Sequence, residues 1–107
     1  MDRVLDLLGE VPLDDLPADD VRAGSPRAGL RTLTTVGEVE VGVWEMTPGT
    51  AVDVEVDEVF VVLAGEATVG FEDGEEIELR PGVAVRLRAG ERTTWTVRST
   101  LRKLYVA

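Results

Sequence analysis

Residues 49–65 read Gly-Thr-Ala-Val-Asp-Val-Glu-Val-Asp-Glu-Val-Phe-Val-Val-Leu-Ala-Gly, an acidic alternating stretch that passes straight into an apolar one. Successive side chains on a strand point to opposite faces, so Val52, Val54 and Val56 share one side while Asp53, Glu55 and Asp57 share the other. Burying several like charges without a counterion is prohibitive, so the valines are expected to face the core and the three acids water. Residues 59–63 then offer no polar side at all, which is the pattern of a strand buried on both faces. Two consecutive strands at the centre of the chain point to an all-β fold.

The flanking sequence repeats this rhythm. Strand signals begin near Leu30 and recur to the C-terminus, broken by Gly37, Thr47-Pro48-Gly49, Asp73-Gly74, Pro81-Gly82 and Ala89-Gly90. Many short strands with regular turns and no internal helix predict an antiparallel sandwich or small barrel. Ahead of them the chain differs. Residues 2–8 place Val4, Leu5, Leu7 and Leu8 between an acidic start and Gly9, which predicts a short amphipathic helix. Pro12, Pro17 and Pro26 then prevent any long element, so residues 1–25 are expected to form a helix and arm, anchored by Leu13, Leu16 and Val21, and residues 26–107 the barrel.

At 107 residues the chain has room for one domain and one core. Its formal charge of −10, from 21 acids and 11 bases, disfavours nucleic acid and anionic membrane surfaces as partners. Cysteine is absent, which removes disulfides, thiolate metal sites and a thiol nucleophile. Histidine is absent too, and with it the commonest general base and transition-metal ligand. With no leader-like or membrane-spanning stretch in the sequence, a cytoplasmic protein is the expectation.

The spacing resembles the cupin superfamily, small jelly-roll barrels (double-stranded β-helices) with two sequence motifs. Glu58 and Gly65 match the Glu-x6-Gly that ends the first motif, and Gly82 and Gly90 match glycines of the second. Arg88 stands where that second motif has proline, Thr93 where it has histidine and Val97 where it has asparagine. Gly24-Ser25-Pro26, Gly42-Val43-Trp44-Glu45, the Trp95 strand and Arg102-Lys103-Leu104-Tyr105 extend the likeness to small single-domain cupins related to ureidoglycine aminohydrolase. That resemblance implies a homodimer, for which exposed strand edges and the arm are available, and in active members a divalent metal held by histidines and the motif glutamate. Here the histidine positions fall at Val52 and Val54, or near Asp53, and at Thr93.

A lone carboxylate with a threonine is a poor site for zinc, iron or nickel, so no cofactor is expected. The alternative is Mn or Mg held through oxygens by Asp53 and Glu58, which needs the acidic face to turn inward. Candidates for lining a ligand pocket are Glu58, Phe60, Thr93, Trp95, Trp44 and Arg88, with Tyr105 as a further aromatic. Arg86 and Arg88 share a face suited to clamping a carboxylate, but pairing with Glu55 or Glu78 is the simpler expectation. The leading reading is a metal-independent small cupin that binds a small organic ligand or acts as a dimeric accessory module. Against it stand an aminohydrolase-like metal enzyme and a barrel filled by its own side chains.

Overall fold

In the computed structural model, which describes residues 3–107, nine antiparallel strands and one 3-10 turn make up the regular structure. In chain order the strands are β1 (Asp14–Asp15), β2 (Val21–Ala23), β3 (Arg27–Val36), β4 (Val39–Met46), β5 (Gly49–Val54), β6 (Glu58–Phe71), β7 (Glu76–Leu79), β8 (Ala84–Leu87) and β9 (Arg92–Val106). The turn, Ala18–Asp20, lies between β1 and β2. Among the described residues no helix is long and apolar enough to cross a membrane.

β9 is the spine. Its first half pairs with β5 on one side and with the second half of β6 on the other; its second half pairs with β4 and with the first half of β6. β7 and β8 extend β6, β3 extends β4, and the arm adds β1 to β3 and β2 to β5. Between Val62 and Ala67 the register of β6 against β9 slips, and there Gly65 adopts φ +94° with its Cα close to the Thr100 carbonyl. A bulge of this kind bends a strand sharply. The two halves of the sheet therefore curl over one another around a core of Met46, Phe60, Val62, Val69, Leu79, Leu87, Trp95, Leu101 and Tyr105.

The expected turns form. Gly74, with φ +92°, donates its N–H to the Phe71 carbonyl at 3.0 Å and closes the β6–β7 hairpin. Two expectations fail. Residues 3–8 form no helix, and Met1 and Asp2 lie outside the described residues. A helix this short is marginal without packing, and here the segment is tied to the sheet as irregular chain instead: Arg102 Nη1 donates to Leu7 O at 2.9 Å and Gly9 O at 2.7 Å, and Arg31 Nη2 donates to Asp6 O at 3.0 Å. Val4 and Leu8, expected to pack, are exposed. Residues 59–63 are likewise not buried on both faces: Phe60 and Val62 point inward, while Val59 is 47% exposed on the outside.

Gly65→Ala is expected to destabilise the fold by more than about 1 kcal/mol, because alanine resists this φ and its Cβ would lie 2.1 Å from Thr100 O. Chemical denaturation measures this, and an unchanged midpoint would show that the bend tolerates a side chain.

Candidate functional site

The curl leaves a cup of about 270 Å³ between β3, β4, β5 and β9, with Trp44, Glu55, Glu58, Trp95 and Lys103 among its lining residues. Lys103 stands directly opposite Trp44 on β4 and Val62 on β6, so its side chain enters the cup floor from the spine. There its ammonium donates to Glu58 Oε2 at 2.7 Å. It also lies over three rings, 4.4 Å from the centroid of Phe60, 4.7 Å from Trp44 and 4.8 Å from Trp95. Both side chains of the ion pair are nearly closed off, 6% exposed for Lys103 and 11% for Glu58. Aromatic faces stabilise a desolvated cation, which offsets part of the loss of hydration.

The wall of the cup reverses an expectation. Ala51 and Asp53 on β5 lie opposite Trp95 and Thr93 on β9, whose side chains are buried, so Ala51 and Asp53 share the inner face. Val54 and Val56 are exposed at 57% and 59%, whereas Glu55 is buried at 7%. The penalty for turning a carboxylate inward is offset locally. Thr93 Oγ1 donates to Glu55 Oε2 at 2.5 Å, and Trp95 Nε1 donates to the same oxygen at 3.1 Å. Asp53 is less well provided for. Burial first, and the nearby Glu55 carboxylate second, hold its carboxyl above the ordinary carboxylate range, against the Val54 N–H and the Lys103 charge. Asp20, from the 3-10 turn, adds another acid to the lining. At the far side Tyr105 donates its hydroxyl to Glu40, and burial followed by that hydrogen bond pushes its phenol up to about 12. Gly42 stands opposite it because any Cβ there would collide with the ring, 2.6 Å from Cζ.

Of the residues expected at a pocket, Glu58, Trp44 and Trp95 line the cup, Phe60 packs under the Lys103 ammonium, and Thr93 is buried behind Glu55. Arg88 is not among them. Its side chain is exposed on the loop after β8, where its backbone N–H donates to Glu91. Arg86 pairs with Asp57 at 3.2 Å rather than with Glu55 or Glu78, and Glu78 pairs with Arg98 at 2.8 Å. The Ala89 N–H first and Arg86 second hold the Asp57 carboxyl below its usual range. Asp53 and Glu58 both line the cup, but Glu58 is engaged by Lys103. Among the described residues no group of three or more His, Cys, Asp or Glu is placed to hold a metal. Lys103 was absent from the sequence-based candidates. The period of two on β9, which puts Lys103 on the same side as Trp95, Val97 and Tyr105, was the signal available for it.

A curled antiparallel sheet around an inward-facing motif glutamate defines a small cupin. The model of the EutQ-like cupin domain matches residues 33–105, so the chain belongs to that family. None of the curated proteins matches the chain. Among solved structures, it resembles an ethanolamine utilization protein Q from Salmonella typhimurium LT2, with 26% identity, TM-score 0.64, and coverage of 75% of this chain and 68% of that one. A DUF861-family protein from Pseudomonas syringae pv. tomato DC3000 aligns over 95% of this chain at TM-score 0.82, but at 20% identity and over only 46% of its own length, which shows the fold alone. A DUF861-family protein from Thermotoga maritima is 28% identical, with TM-score 0.55, over 59% of this chain and 73% of that one.

Removing one partner of a buried ion pair leaves an uncompensated charge, so Glu58→Gln is expected to cost about 3–5 kcal/mol of stability. Adding Lys103→Met to it should recover most of that loss, as denaturant titration of the single and double variants will report. Asp53 titrates higher in the native state, so the folded protein binds the extra proton and its stability falls as pH rises above the ordinary carboxylate range. Asp53→Asn should therefore raise the melting temperature at neutral pH, with the gain vanishing in acid. A constant gain across pH would refute the assignment.

Proposed function

We propose that this chain is a metal-independent cupin whose cup binds a small organic ligand and that it works as a homodimer. The observation that carries the first half is the position of Lys103: its ammonium lies 2.7 Å from the motif glutamate, where relatives with active metal centres need that carboxylate free. A tethered cation makes the glutamate's charge acceptable without an ion. The opening bounded by Leu30, Val54 and Val56 supplies the concave, partly apolar wall that small-molecule sites share.

The dimer reading is supported by the outer face of the sheet. Val41, Val106 and Val59 stand side by side on β4, β9 and β6, and Leu104, Val61 and Ala84 form the next row. Val59 and Val106 are 47% and 39% exposed, in a chain whose −10 charge otherwise keeps copies apart. An aliphatic face of this kind is self-complementary about a two-fold axis. The second reading is an aminohydrolase-like enzyme with Mn or Mg held by Asp53 and Glu58, and the inward turn of Asp53 favours it over any other metal arrangement.

Elemental analysis of protein purified without added ions separates the two. Metal well below one ion per chain, with a melting temperature indifferent to chelator, is expected; a tight stoichiometric ion would establish the second reading instead. Light scattering should give twice the chain mass and Val106→Asp the single mass, whereas a monomeric parent protein would remove the dimer.

A further inference from the structure

We infer that the ligand of the cup is a small organic cation, a primary amine in its ammonium form, seated between Glu55, Asp53 and Asp20 against the Trp44 and Trp95 rings. The inference rests on reading the cup as a ligand site and specifies what that site takes. Four carboxylates line the space, from Asp20, Asp53, Glu55 and Glu58, against a single cation, Lys103. That cation is already paired with Glu58, and among the described residues none of the other three carboxylates is in an ion pair, although Asp20 and Asp53 also border the depression that holds Arg22 and Arg92.

Glu55 distinguishes this arrangement from a chance acidic cluster. The residue is more than nine-tenths buried, both donors that reach it go to Oε2, and among the described residues Oε1 receives none. Oε1 is also not sealed off in the protein interior, which leaves the cavity as its outlet. An acceptor that opens on the cup is free to take a ligand N–H in a charge-assisted hydrogen bond. Asp53 likewise has one oxygen occupied by the Val54 N–H at 2.8 Å and the other available. Furthermore, the cup already holds one ammonium: the side-chain terminus of Lys103 sits on Trp44, Phe60 and Trp95, and the Trp44 and Trp95 rings, 5.6 Å apart, both line the cup. At about 270 Å³ the space lies just under the usual range for drug-sized ligands, which suits a small organic part packed on Leu16, Leu30 and Val54.

The two tryptophans of the chain are Trp44 and Trp95, so intrinsic fluorescence reports on the cup alone. Titration with ethylammonium should give a saturable change, while acetate and ethanol at equal concentration give none. Glu55→Gln and Asp53→Asn should each weaken the ethylammonium response by about tenfold or more. Asp53→Asn keeps the test decisive if Glu55→Gln does not fold, because it is expected to melt higher than the parent. Saturable binding of acetate or ethanol without ethylammonium overturns the cation assignment and leaves a ligand-binding cup. Tighter binding of Mn or Mg than of ethylammonium, or no response to any probe, overturns both the assignment and the reading it rests on. Binding that is indifferent to both substitutions overturns the assigned position.

Discussion

The Lys103 ammonium beneath three aromatic rings is the constraint to which the rest of the interior conforms. A charge at the centre of a chain this small must be matched where it stands, and the match comes from three different strands: Glu58 and Phe60 from β6, Trp44 from β4, Trp95 from β9 itself. Those strands can meet only if β9 lies between β4 and β6 along its second half, which is the observed register. A buried ion pair is weak as a source of stability, but it penalises every packing that separates its members. It thus acts on specificity. An alternative register that moved Lys103 by one residue would expose it and bury Arg102 or Leu104 in its place.

The wall of the cup follows a second local bargain. Glu55 is buried because Thr93 and Trp95, two residues apart on β9, both direct donors at one of its oxygens. Asp53, two residues before it and exposed at the cup mouth, accepts only the Val54 N–H, and partial burial with the neighbouring Glu55 carboxylate raises its carboxyl.

Much of the fold was legible in the sequence, since Gly37, Gly74, Gly82 and Gly90 adopt the positive φ that their turns require and strands lie between them, although the alternating stretches 93–98 and 101–106 run on as the single strand β9. The choice of face on β5 was not legible. Hydrophobicity alone favours Val54 and Val56 inside, and what reversed it was a pair of side-chain donors 38 and 40 residues further along. The N-terminal segment was hidden for a related reason: the local pattern around Leu7 and Leu8 carries no trace of the guanidinium groups of Arg31 and Arg102 that tie it to the sheet. Arg88 shares a period-two face with Arg86, but β8 ends at Leu87, so alternation along the strand does not place the Arg88 side chain. A buried lysine such as Lys103 runs against the usual exposure of its residue type, so composition alone does not mark it. In each case the deciding interaction is non-local.

The spine has a consequence for how this molecule is made. β9 is the last strand of the described chain, yet it is the one that joins β4, β5 and both halves of β6. Hairpins β3–β4 and β6–β7 can form as they leave the ribosome, but neither layer has its central partner until residues 92–106 have emerged. The unclosed sheet meanwhile presents open edges, and closing it joins segments far apart in sequence, a slow step. Assembly of the interior is therefore deferred until translation of the domain is complete, and the acidic surface is what keeps the waiting chain in solution.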